Sequence, residues 1–218
     1  MHIKRSETPK TWPIPRKGGT SKYILVSSHA QQKGISMLFI MRDLLKIAKT
    51  RKEIKRILLG KDVRINGKVR KDESFPVQVF DVVSFGASGK NYRLDIINGK
   101  FKLKEVSVAE SGKKIVKIRG KVLLGGKKVQ MNLEDGQNFL VKDKFSVGDS
   151  AVVGFKDNKV EKVLALKEGA NIEVIGGKHI GEKGKVVGFK KLAKGKMILT
   201  KLKHGEVELP PHVVMVTE

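Results

Sequence analysis

The chain has 218 residues, with 46 Lys and Arg against 22 Asp and Glu and a formal net charge of +24. It contains no cysteine, which excludes disulfides, cysteine–zinc sites, iron–sulfur clusters and thiol catalysis, and no apolar run approaches the roughly 20 residues needed to cross a bilayer. A hydrophobic fraction of 39% and 23 glycines spread along the chain exclude a wholly disordered protein. The positive excess runs through every quarter of the sequence, and such self-repulsion calls for a polyanionic partner, read here as nucleic acid. No basic amphipathic anchor or lipidation signal points to a membrane, and the opening His2-Ile3-Lys4-Arg5 is not expected to be a secretory signal.

Residues 1–36 read as an extended basic arm, punctuated by Pro9, Pro13 and Pro15 and loosened by Gly18-Gly19. The arm is either a floppy tail or a segment that threads RNA. In the second reading Trp12, the only tryptophan, is the anchor and Lys4, Arg5, Lys10, Arg16 and Lys17 face phosphates. Residues 1–22 of the arm are expected to be mobile in the free protein and ordered only on RNA, since without it little offsets the entropic cost of ordering them.

From about Ser36 the period becomes helical. Met37, Met41, Leu44, Leu45 and Ala48 form one apolar face, and Arg42, Lys46 and Lys49 share another. Thr50-Arg51-Lys52-Glu53 has capping-box spacing and predicts a second helix ending at Gly60. That helix buries Ile54, Ile57 and Leu58 and exposes Lys52, Lys55 and Arg56, with Arg51 at its N-terminus. Asp43 and Glu53 are the only acids between residues 8 and 61, so the pair of helices can set cations across the phosphates of folded RNA. Val63-Arg64-Ile65-Asn66-Gly67-Lys68-Val69 predicts a β-hairpin, with Lys68 on a second contact edge. One further β segment is expected over residues 77–85.

Residues 91–167 read as all-β, with strands over 92–97 and 101–106 flanking Asn98-Gly99 and over 115–124 and 129–133 flanking Gly125-Gly126. Shorter strands follow near 139–141, 151–155 and 160–166. The last segment, 168–218, is also β, with strands near 171–175, 185–189, 197–202 and 207–209. Its loop Gly176-Gly177-Lys178-His179-Ile180-Gly181-Glu182-Lys183-Gly184 is glycine-rich and basic.

Signals for chemistry are poor. His2, His29, His179, His204 and His212 share no metal-ligand spacing. Gly86-Ala87-Ser88-Gly89-Lys90-Asn91 has the wrong spacing for a phosphate-binding loop and lacks the Ser or Thr that would hold magnesium. Tyr92-Arg93-Leu94-Asp95 is close to the Gly-Arg-Leu-Asp of RNA pseudouridine synthases, but Tyr92 replaces the glycine and too little chain follows for their catalytic domain. Asp95 is therefore read as an exposed strand carboxylate. Aromatics at 6% do not build a stacking platform on the strands, so structured RNA is favoured over single strands.

Several stretches carry a resemblance. Arg42-Asp43-Leu44-Leu45, Thr50-Arg51-Lys52-Glu53 and Val63-Arg64-Ile65-Asn66-Gly67-Lys68 resemble the alpha-L RNA-binding motif. The loop from Ile175 to Val186, with Lys178, His179, Lys183 and Lys185, looks like a KOW motif of an SH3-like barrel. Joined to the Trp12 arm and to Gly67-Lys68-Val69-Arg70-Lys71-Asp72-Glu73-Ser74-Phe75-Pro76, their order resembles the S4e family of small-subunit ribosomal proteins, in its archaeal form, over essentially the whole chain. Residues 26–32 depart from it: of the Pro-Gly-Pro-His that many relatives carry there, only His29 is carried over.

The expected architecture is α+β and multidomain: an N-terminal extension (1–36), an alpha-L RNA-binding domain of helix, helix and hairpin (37–90), a small central β domain (91–167) and a C-terminal SH3-like KOW barrel (168–218). The resemblance implies a structural, rRNA-binding constituent of the small subunit, not an enzyme. It has no cofactor, metal, membrane or small-molecule substrate, is monomeric within the ribosome beside neighbouring ribosomal proteins, and is cytoplasmic. A KOW-type transcription or translation factor that binds structured RNA is the alternative. The phosphate-contact set is Arg42, Lys46, Lys49, Arg51, Lys52, Lys55 and Arg56, then Lys178, His179, Lys183 and Lys185 in the loop, with Lys68 and the arm.

Overall fold

The computed structural model describes residues 2–18, 21–29, 34–86, 88–125, 128–141, 144–192, 195–203 and 205–217. Of the positions named above, Gly19, residues 30–32, Ala87, Gly126 and His204 lie outside the described residues. The chain forms two compact units, Met1–Gly112 and Lys113–Glu218.

The first unit opens with β1 (His2–Lys4) paired antiparallel to β2 (Tyr23–Leu25), Ile3 opposite Ile24. The Arg5 guanidinium closes the loop between them, donating to the carbonyls of Ser21 at 2.7 Å and Pro15 at 2.9 Å, and Arg16 donates to the carbonyl of Thr8. Trp12 is 2% exposed. Its ring lies tilted against Phe39 at 5.7 Å, and the Thr11 carbonyl accepts from the Phe101 N–H at 2.9 Å. The expectation of Trp12 as an RNA anchor on a free arm is corrected here: the indole is part of this unit's own core. It is the largest apolar group in the segment, and the neighbouring Ile24, Leu25 and Val26 are buried too. The prolines rule out a helix but not a folded loop.

β3 (Gly34–Ser36) leads into α1 (Met37–Phe39), which widens into a π-type turn over Ile40–Leu44. All five residues from Met37 to Met41 are buried, so this segment runs through the core and not along one amphipathic face. The N–H of Leu45 reaches back to Ile40 and that of Ile47 to Met41, and Lys46 turns the chain at φ 55°. Lys46 and Lys49 therefore sit in the connection, not on the helical face the periodicity predicted. α2 (Arg51–Leu59) begins at the predicted cap. The Thr50 hydroxyl accepts from the Glu53 N–H at 3.3 Å, and the Glu53 carboxylate accepts from the N–H of Thr50 at 3.3 Å and of Lys49 at 3.0 Å. The Lys49 N–H, then the Thr50 hydroxyl and N–H, hold the Glu53 carboxyl below its ordinary pKa.

β4 (Val63–Ile65) and β5 (Lys68–Val69) form the predicted hairpin. Asn66 and Gly67 take φ of 50° and 77°, as a type I′ turn requires. The Asn66 amide donates to Asp81 Oδ1 at 2.8 Å and accepts from the Val82 N–H at 3.0 Å. The segment expected as one strand is two, because Phe80 turns the chain at φ 68°: β6 (Pro76–Gln78) pairs with β3, and β7 (Val82–Phe85) pairs with β4. β8 (Asn91–Ile97) and β9 (Lys100–Val106) then complete an antiparallel sheet of order β5-β4-β7-β8-β9. β7 and β8 thus pair across residue 90, where a domain boundary was expected. Asp95, on β8, is buried and takes two hydrogen bonds from Arg93, at 2.9 and 3.2 Å. It is not the exposed carboxylate read from its sequence neighbours, because the i+2 spacing on a strand puts Arg93 on the same face.

The second unit holds two antiparallel sheets. β10 (Lys113–Leu124), β11 (Lys128–Leu133), β12 (Asn138–Val141), β13 (Ser150–Gly154) and β14 (Lys159–Leu164) take the order β12-β11-β10-β13-β14. Val116, Ile118, Met131, Leu133, Phe145, Ala151 and Val153 make their core. β15 (Asn171–Val174), β16 (Lys183–Leu192), β17 (Gly195–Leu202), β18 (Gly205–Leu209) and β19 (Val214–Val216) take the order β18-β17-β16-β15-β19. Ile172, Val174, Val186, Ile198, Leu202, Leu209, Val214 and Val216 form the second core. The two sheets are linked by Lys117, which donates to the carbonyls of Val214 at 2.6 Å and of Pro211, and by Ser150, whose hydroxyl accepts from the Val216 N–H at 3.0 Å. Among the described residues the fold is mostly β, with few helices and several sheets.

Candidate nucleic-acid interface

Burial of Ile54 and Leu58 orients α2, leaving Arg51, Lys52, Lys55 and Arg56 exposed as the spacing predicted. Only tertiary structure adds Glu73. Its carboxylate, on a residue 5% exposed, accepts from Arg51 Nε at 2.8 Å and from Arg51 Nη2, with Lys55 Nζ at 3.5 Å. Arg51 and Lys55 are therefore tethered on one side, while Lys52 and Arg56 point into solvent without an ion pair among the described residues.

Burial pulls the Glu73 pKa upward, but the Arg51 hydrogen bond, the Arg51 charge and the Lys55 charge together outweigh it and hold the carboxyl below its ordinary range. A depressed folded pKa gives stability that is present above the unfolded value, about 4.3, and is lost as pH falls through the folded one. The advantage of the wild type over Glu73→Gln in urea unfolding should accordingly shrink on acidification below about pH 4.3. An advantage independent of pH would mean that the pair contributes nothing electrostatic.

The remaining predicted residues divide. Arg42 is half-buried, lies over the Phe39 ring at 5.1 Å and pairs with Asp43 at 3.0 Å. Lys46, Lys49 and Lys68 are exposed. In the arm Lys4, Lys10 and Lys17 are exposed, whereas the guanidiniums of Arg5 and Arg16 bind the arm's own carbonyls. Trp12 is unavailable for stacking.

In the second unit the basic loop joins β15 to β16. The Gly181 N–H donates to the Val174 carbonyl at 2.7 Å, and the Val174 N–H to the Glu182 carbonyl at 3.0 Å. Gly184 packs against β17 so closely that a Cβ there would collide with the Lys201 carbonyl. His179 Nδ1 meets Glu182 Oε1 at 3.1 Å, and Lys183 lies 3.6 Å from Glu173. Lys178 and Lys185 are exposed. Among the described residues no group of three His, Asp or Glu side chains is placed to hold a metal ion, and no helix is long and apolar enough to cross a membrane.

Residues 44–83, which hold α2 and the hairpin, match the S4 domain, and residues 88–160 match the model of ribosomal family S4e. The small ribosomal subunit protein eS4 of Methanocella arvoryzae is 39% identical over 189 residues, 85% of this chain and 79% of the relative. The chain belongs to the S4e family. The eS4 protein of Archaeoglobus fulgidus is 37% identical over 193 residues, 87% of this chain and 80% of its own. Among solved structures, the 30S ribosomal protein S4e from Thermoplasma acidophilum superposes with a TM-score of 0.73 at 25% identity, covering 84% of this chain and 94% of that one.

The resemblance to the S4e family is thus borne out. What the motifs of this S4e chain did not reveal is Glu73, which stands 22 residues from Arg51 along the sequence. Nor did they reveal the grouping of Arg70, Phe75 and His29 around the same loop. No periodicity connects these positions, and the sequence carries no trace of their meeting.

Proposed function

We propose that the chain is a structural constituent of the small ribosomal subunit, binding and stabilising folded rRNA through basic surfaces. The membership in a family of small-subunit ribosomal proteins supports the setting. The observation that carries the mode of binding is the exposed face of α2, where Lys52 and Arg56 stand clear beside the tethered cations Arg51 and Lys55. Such a face reads backbone and shape more than sequence. The role is not enzymatic: Asp95, the one carboxylate in a motif-like context, is held by Arg93. The closing five-stranded sheet, with its glycine-rich loop after β15, is read as the KOW SH3-like barrel of residues 168–218, Lys178 and Lys185 being its contact residues. The partners are small-subunit rRNA and adjacent ribosomal proteins, and the protein works as a monomer on cytoplasmic ribosomes.

Lys52→Ala with Arg56→Ala tests this reading. Alanine is a better helix former than either residue, so circular dichroism should not change. Affinity for folded rRNA fragments should fall, and the salt dependence should become shallower by about one unit of log–log slope per lost phosphate contact. Unchanged affinity in this double variant would move the RNA-facing surface away from α2.

A further inference from the structure

Three side chains from two segments of the first unit meet around one loop. The Arg70 guanidinium carbon lies 4.3 Å over the centre of the Phe75 ring. The His29 ring meets Phe75 edge-on, at 5.5 Å and 80°. Ser28 fixes the histidine to the same loop: its hydroxyl lies 3.0 Å from His29 Nδ1, and its N–H donates to the Ser74 carbonyl at 3.0 Å. The loop itself is anchored to the start of α1, where the N–H groups of Met37 and Leu38 donate to the carbonyls of Phe75 and Glu73, both at 3.0 Å. His29 is exposed and Phe75 and Arg70 are half-buried. Arg70 Nε is buried and has no hydrogen-bond partner.

We propose that Phe75, Arg70 and His29 form a docking platform for one unstacked nucleobase of the RNA whose phosphates lie against Lys52 and Arg56 of α2. This rests on the RNA-binding reading of α2 and adds a ligand class to it. The platform differs from the helix in its rings: a phenyl ring and an imidazole, with the Arg70 guanidinium laid over the phenyl ring, offer flat surfaces that stack on bases. The two sets are joined through the backbone, because Glu73, which tethers Arg51 and Lys55, is two residues from Phe75. Since the loop is pinned at Glu73, Ser74 and Phe75, the platform is formed before RNA arrives, and docking a base needs little further ordering.

The competing role is a latch that only holds the 70–75 loop to the segment bearing His29. Two RNA hairpins separate the roles, identical except that one carries a single bulged 2-aminopurine. Full-length wild-type protein should quench the 2-aminopurine emission and bind the bulged hairpin more tightly than the fully paired one. Phe75→Leu keeps apolar packing but removes the π-face. It should lose about tenfold in affinity for the bulged hairpin, abolish the quench and leave the paired hairpin unaffected. His29→Ala, at an exposed position that poses little risk to folding, should give a smaller loss with the same selectivity. Lys52→Ala with Arg56→Ala should weaken both hairpins alike. If Phe75→Leu and His29→Ala affect both RNAs equally, or neither, while that helix variant still weakens both, the platform is a latch and the proposal falls with the α2 reading intact. If the helix variant has no effect, the α2 reading falls instead.

Discussion

Trp12→Ala is expected to destabilise the first unit by about 3–5 kcal/mol, the usual cost of truncating a buried tryptophan. In a unit of this size that lowers the melting temperature by on the order of 10 °C or more. The indole is 2% exposed, rests against Phe39 and lies next to the Thr11 carbonyl that accepts from β9. Its loss opens a cavity between the N-terminal loop and α1. Because Trp12 is the only tryptophan, the fluorescence of the wild type reports this position alone, and the free protein should emit at the short wavelengths of a shielded indole. Calorimetry of the variant gives the stability. Emission typical of water-exposed tryptophan, together with an unchanged melting temperature, would restore the picture of a mobile arm that orders only on RNA.

Binding to structured RNA should weaken about a thousandfold between 50 and 200 mM salt, by extrapolation from duplex DNA with about six phosphates neutralised. The expectation sits at the low end of the range for such proteins because internal partners already engage part of the predicted set. Arg42 pairs with Asp43, Arg51 and Lys55 with Glu73, and Lys183 with Glu173, while Arg5 and Arg16 bind the arm's carbonyls. Lys52, Arg56, Lys46, Lys49, Lys68, Lys178 and Lys185 remain exposed. Filter binding or anisotropy across a salt series measures the slope. A nearly flat response would remove counterion release as the source of affinity, and with it the electrostatic reading of the whole basic surface.

The local sequence by itself determined the features whose causes are local. The Thr50–Glu53 capping box fixed where α2 begins, since both of its bonds close within four residues. The two Asn-Gly pairs fixed the hairpins β4–β5 and β8–β9, because only residues tolerant of positive φ make such turns. The outward display of Lys52, Lys55 and Arg56 followed from the period of an α-helix, and the S4e membership from motifs in order. Features with long-range causes were decided by tertiary structure alone. Proline and charge in residues 1–22 describe an unpacked segment equally well, and only the fold, which sets Trp12 against the Phe39 ring, makes a core site for it. A run of five apolar residues after Ser36 carries no sign of being surrounded on all sides, so the widened helix and the displacement of Lys46 and Lys49 into its connection were hidden. β8 was legible as a strand but not as the partner of β7, because pairing is a choice among edges that period-two alternation does not encode. Glu73 meets Arg51 and Lys55, and Phe75 meets Arg70 and His29, only once the chain has brought distant segments together: which side chains of a basic surface are tethered and which are free is set by packing, not by composition.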